Sequence, residues 1–191
     1  TGHETLFKGF NPAAFLRAEA DCHINSLLVA RPVLARVGVF DKELPTNEDF
    51  EWKMRLVHEA MFCAVNEVLV RITFTPGSLS RYKGYKGCIL RDESKERALL
   101  RVRESCRGRR GYDDAAWKIR AAKAYDQYVK HRLYGGEIAK ARELWRKGMD
   151  LTGGLDPLPR LKGKLLKARL LALIGRRIKH HKLASMEDYA A

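Results

Sequence analysis

Apolar positions fall into two rhythms along the chain. In the first third they come as short β-branched runs: residues 24–30 form one, and residues 62–72, reading FCAVNEVLVRI, form another. Runs of this kind predict one buried strand at 24–30 and one or two strands at 62–72. Between them, residues 31–38 read as two helical turns, with Pro32 near the start and Gly38 at the end. A loop over 40–46 follows, and Thr46 or Asn47 is placed to cap a helix whose first turn carries Glu48, Asp49 and Glu51. Phe50, Met54, Val57 and Met61 give that helix an apolar face. The segment 75–78, Thr-Pro-Gly-Ser, reads as a turn. Strand, helix, strand in this order predicts a fragment of an α/β layer, too small to bury a large core alone.

After Arg81 the rhythm changes to that of helices. A helix is expected over 92–107, with Ala98, Leu99 and Val102 inward and a break at 108–111. Asp113 or Asp114 can cap a long helix over 115–134, which Gly135 and Gly136 end, and a further helix runs from 137 to 149. The two pair as a helical hairpin over about 115–149, with Ala121, Ala124, Tyr125 and Tyr128 against Ile138, Ala141, Leu144 and Trp145. The hairpin is similar to one tetratricopeptide-like unit but occurs once, so no repeat array is expected. A linker at 153–157 leads to a last amphipathic helix over about 158–182 and a frayed tail at 186–191.

Charge sharpens this division. The 191 residues carry 37 Lys and Arg against 23 Asp and Glu, a formal net charge of +14. Residues 1–80 hold 8 basic and 10 acidic side chains, and residues 81–191 hold 29 and 13. All of the positive excess therefore lies in the second part, which implies two functional parts divided at about 82/83. No apolar run approaches the ~20 residues of a spanning helix. The opening segment has no signal-peptide pattern and no initiator Met, which points to a piece of something longer. Cys22, Cys63, Cys88 and Cys106 lack metal or disulfide spacing and are expected as buried free thiols in a reducing compartment. The scattered histidines, with the adjacent pair His180 and His181, read as solvated and not as metal ligands.

The candidate chemistry lies at the start of the helix after the loop. Glu48 and Asp49 are adjacent carboxylates at a helix N-terminus, where the dipole favours the ionised form of a base. On composition alone the reading that prevails is capping acids of a surface helix. The run SLLVARPVLARVGVFDKEL over 26–44 resembles a segment of the family 2 nucleotide-sugar glycosyltransferases. The resemblance continues through NEDFEWKMRL over 47–56, similar to that family's acidic-pair helix. It closes with EVLVR at 67–71 and PGSLS at 76–80, and so covers about residues 20–82. It implies a partial GT-A fold, a Rossmann-like α/β layer at 1–82, followed by an all-α basic extension at 83–191. It also implies inverting sugar transfer from a nucleotide-sugar donor to a glycan or lipid-linked acceptor, in cell-envelope polysaccharide synthesis. Asp49 would be the general base, with Glu48, Trp52 and Arg55 as substrate-side residues. Glu48 would orient the helix start or touch the acceptor, Trp52 would stack on a sugar or lie in the core, and Arg55 would chiefly anchor the helix.

Mg²⁺ or Mn²⁺ is implied for the complete enzyme, but the D-x-D that would hold it is missing before Glu48, and Thr75 stands where many relatives carry His. The chain alone is therefore expected to be inactive, with no metal ligands of its own. A non-catalytic basic scaffold, or a module binding a polyanion, is the alternative. Leu158, Leu161, Leu165, Leu166, Leu170, Leu173, Ile174 and Ile178 interleave with eight Lys and Arg, a pattern that suits an anionic membrane surface. The same pattern suits a helix packed on the hairpin. Nucleic acid is disfavoured, because no helix-turn-helix, zinc module or aromatic platform accompanies the charge. The expected location is cytoplasmic, peripheral on the inner face of the membrane.

Overall fold

Local signals place the helices. In the computed structural model, which describes residues 9–65, 67–68, 70–71, 73 and 84–179, α1 (Pro12–Arg17) starts on Pro12 and is capped by Asn11, whose side chain accepts from Ala14 N at 3.2 Å. Helix α2 (Arg31–Val37) likewise has Pro at its second position and ends at Gly38, in a positive-φ conformation that glycine adopts without strain. Helix α3 (Glu48–Val57) follows, then α4 (Gly84–Cys106), α5 (Asp114–Tyr134), α6 (Ile138–Thr152) and α7 (Leu161–Leu173). Short 3-10 turns cover Ile24–Ser26 and Leu158–Arg160. Helix α4 begins eight residues before the expected start, and the last helix divides at Leu161 into a 3-10 turn and α7. The expected turn at 75–78, the tail at 186–191 and His180 and His181 lie outside the described residues.

The expected α/β layer is not formed. Among the described residues there is no strand, only one isolated antiparallel bridge between Gly9 and Phe62. Residues 24–26 are a 3-10 turn and 27–30 run on as extended chain without a ladder partner. Leu28 and Val68 stand fully in solvent. This overturns the fold class of a partial GT-A layer, and with it the resemblance to the family 2 glycosyltransferases. The physical reason is that β-branched side chains make a segment fit for a sheet, but a strand exists only when neighbouring strands take its N–H and C=O groups. Helices need no such partner.

The chain divides into two compact units, one of Thr1–Pro76 with Arg97–Trp117 and one of Gly77–Glu96 with Lys118–Ala191. In the first, α1 and α2 pack on α3. Val37, Trp52 and Leu56 form a small core flanked by Ile24, Leu27, Val29, Val33 and Phe62. Phe62 also meets Phe15 at 5.4 Å between ring centroids. Trp117 is wholly buried; its indole N–H donates to Leu99 O at 2.8 Å, and the Arg103 guanidinium lies 4.5 Å over its ring. Met61, expected inward, is exposed. Asn47 stands at the start of α3 in the left-handed region, and its side-chain amide donates to Thr46 Oγ1 instead of capping.

The second unit has a core of its own. Ala122, Tyr125, Val129 and Leu133 of α5 meet Ala141 and Leu144 of α6, and Leu158, Leu161, Leu165 and Ala168 close the cluster. The expected hairpin is present, with Ala121 and Ala124 buried on α5. Gly148 makes it tight: a Cβ there would lie 2.9 Å from Tyr125 Cβ and 3.2 Å from Leu158 Cδ1. Gly148→Val is therefore expected to destabilise by about 2 kcal/mol, since overpacking outweighs the better helix propensity. Urea denaturation measures it, and an unchanged midpoint would contradict the close approach.

Candidate functional site

Helix α3 brings the sequence-predicted residues onto one element but gives them different surroundings. Asp49 is half-exposed; its Oδ1 accepts from Phe50 N at 2.7 Å, and its Oδ2 lies 3.7 Å from Lys53 Nζ. Glu48 sits beside it, part-buried, at the first position of the helix. Trp52 is buried, with its ring against Phe40 at 5.1 Å and its N–H donating to Gly38 O at 2.8 Å. Arg55 makes a two-pronged pair with Glu51 at 2.8 and 2.9 Å and donates to the carbonyls of Val37 and Val39. It thereby ties α3 to the C-terminal end of α2, where carbonyl oxygens collect partial negative charge. A general base needs a wall that holds an acceptor against it. Asp49 lines neither of the two cavities described below, so the geometry adds no support to sugar transfer.

Several paired charges were not legible in the sequence. Lys53 is buried and donates to Asp21 Oδ1 at 2.7 Å and to Cys22 O at 2.9 Å. In the second unit, His131 Nδ1 lies 2.5 Å from the buried Asp92 carboxylate. Arg132 bridges Glu93 and Glu137, each at 2.7 Å. Tyr125 donates to Glu96 at 2.6 Å, and Lys147 pairs with the same carboxylate at 2.7 Å. Apart from Arg132 and Glu137, five residues apart, these partners lie tens of residues apart, and no spacing rule links them. Those of the second unit tie α4, α5 and α6 together. Of the cysteines, all free, Cys88 and Cys106 are buried, but Cys22 is only part-buried and Cys63 is exposed. Among the described residues no three His, Cys, Asp or Glu side chains converge on a metal position.

His58, expected as solvated, is half-buried, and its Nδ1 lies 3.1 Å from Arg110 O. Burial, aided by Arg109, pulls its pKa below the usual value and outweighs the Arg110 carbonyl and Glu59. Folding thus favours the neutral ring. That contribution is full above the unfolded-state pKa of about 6.5 and is lost as pH falls through the lower folded value. The wild-type chain is expected to lose more thermal stability between neutral and mildly acidic pH than His58→Gln. Parallel melting curves across that range check the sign.

Helix α7 carries the unpartnered chemistry. Leu161, Leu165 and Ala168 are buried on the hairpin. Leu166, Leu170, Leu173 and Ile174, at i, i+4, i+7 and i+8, form a second apolar stripe, with exposures of 57, 57, 82 and 65%. At 100° per residue the two stripes lie roughly 150° apart. Lys162 and Arg169 flank the outer stripe on one side and Lys167 on the other, and none of the three pairs with a described carboxylate. No acidic residue occurs between Leu158 and Lys179. Beside the end of α7 lies a cavity of about 240 Å³, lined in part by Leu133, Ala172, Arg176 and Arg177. An open depression of about 510 Å³ in the first unit is lined by Leu100, Arg103 and Glu104 of α4 and by Arg107 just beyond it. No described helix is long and apolar enough to cross a membrane. No family model, curated protein or solved structure matches the chain.

Proposed function

We propose that this chain is a basic helical module that docks on an anionic membrane surface through the outer stripe of α7. The observation that carries the reading is the line of exposed Leu166, Leu170, Leu173 and Ile174 between Lys162, Arg169 and Lys167, which have no described carboxylate partner. The core accounts for one face of α7; it gives no reason for leucines on the opposite face. A contiguous apolar strip rimmed by cations matches the boundary between lipid headgroups and acyl chains. The apolar side chains enter the upper acyl region while the long basic side chains reach back to the headgroups. Near such a surface each Lys or Arg contributes about 1 kcal/mol, and the contribution falls off within a Debye length.

The test is co-sedimentation of the full chain with vesicles of phosphatidylcholine alone and of phosphatidylcholine with phosphatidylglycerol. Binding to the anionic vesicles that weakens with added salt supports the reading. Equal binding to both compositions, or to neither, refutes it.

A further inference from the structure

We infer that the cavity at the C-terminal end of α7 is a site for a phosphate monoester group, an inference that rests on the membrane-docking reading and names the headgroup it selects. The cavity of about 240 Å³ has an apolar wall from Leu133, Ile138, Ala168 and Ala172, and Arg176 and Arg177 line it as well. That volume is several times the roughly 30 Å³ share of one water. It has room for a phosphate group and the first carbons of its ester, and none for a whole lipid.

Two observations bear on these arginines, the second on Arg177 alone. Neither pairs with any described carboxylate. The nearest acid in sequence to this wall, Glu137, is engaged by Arg132 at 2.7 Å and by Tyr85. Arg177 also lies across the turn between α5 and α6: a Cβ on Gly136 would stand 3.1 Å from its Nε and 3.3 Å from its Cδ. Glycine at 136, with φ +81°, both makes the turn and leaves the space in which that side chain rests.

Both arginines that line the cavity carry planar forks of N–H donors, and that of Arg177 stands beside Gly136 on the cavity wall. A phosphate monoester offers three terminal oxygens and a charge of about −1.5 to −2, against the single charge of a diester. The site therefore discriminates headgroups by oxygen count and charge, beyond the general attraction of α7 to an anionic surface. The cavity follows directly on Ile174, the last residue of the exposed stripe.

The experiment compares binding of the full chain to phosphatidylcholine vesicles doped with phosphatidic acid or with phosphatidylglycerol, matched for zeta potential. Wild type is expected to bind the monoester vesicles about tenfold more tightly, on the scale of one charge-assisted contact. The double variant Arg176→Lys, Arg177→Lys keeps the charge and loses the forks. It is expected to lose the preference while binding phosphatidylglycerol vesicles as wild type does. Ala172→Leu, which fills the cavity without touching charge, is expected to do the same. A second arm adds inorganic phosphate. Competition assigns the site to the phosphate group from either source, and preference without competition assigns it to the lipid-borne group. Equal binding of the two vesicle types by wild type overturns the site and leaves membrane docking standing. If neither vesicle binds, docking fails first, and calorimetry with inorganic phosphate then decides the cavity alone: heat that disappears in the lysine variant keeps the site, and no heat overturns it.

Discussion

Replacing Leu166 and Leu170 together by glutamine is expected to weaken binding to anionic vesicles by about 30-fold without lowering the stability of the fold. Both side chains are more than half exposed, on the side of α7 away from Leu161, Leu165 and Ala168. Fully burying a leucine is worth about 1.5–3 kcal/mol. At a headgroup boundary only part of that is realised, about 1 kcal/mol each, so two leucines give about 2 kcal/mol, or a factor of about 30. Glutamine matches leucine in helix propensity, and exposed substitutions of this kind stay within about 0.5 kcal/mol of wild type. Vesicle titration and a melting curve on the same sample separate the two effects. Unchanged binding would mean that the outer stripe does not enter the bilayer. Leu165→Gln is the contrasting control: it puts an unpartnered amide into the core and should melt the protein well below wild type.

Trp117→Ala is expected to cost about 3–5 kcal/mol, the range for removing a large buried aromatic side chain. Three losses coincide at this position. The ring is wholly buried, so its removal opens a cavity in the core. The Leu99 carbonyl loses the indole N–H that meets it at 2.8 Å. The Arg103 guanidinium loses the ring it covers at 4.5 Å. A small domain has about 5–15 kcal/mol in all, so this substitution removes a large share of it. Trp117→Phe keeps an aromatic face and drops the N–H, and should fall between the two. Urea denaturation gives the three values; a loss for alanine below about 1 kcal/mol would contradict the burial.

The site was legible in part. Glu48, Asp49 and the helix they open could be read from their spacing, because helix starts are written in local residues. What each side chain does there could not. Trp52 is committed to Phe40 and Gly38, and Arg55 to Glu51 and the end of α2. The contacts with Phe40, Gly38 and the end of α2 depend on how the chain returns on itself. The basic helix was visible as an alternation of leucine with lysine and arginine; the structure packs one of its faces in the core and leaves the other exposed. Leu165 packs while its neighbour Leu166 stands in solvent, and the one-residue step of about 100° between them is invisible until the hairpin supplies a floor.

By itself the sequence determined the hairpin, its glycine boundary at Gly135 and Gly136, the span of α2 and the concentration of charge after Arg81. Each of these follows from hydrogen bonds and propensities that act within a few residues, or from composition. Only the tertiary structure decided that the described residues of the β-branched runs at 24–30 and 62–72 form no strand, that Asp92 meets His131, and which leucines of α7 are spent in the core. Those outcomes depend on partners far away in the chain. A strand or a buried ion pair has no local hydrogen-bond closure of its own, and takes its form only from what folds against it.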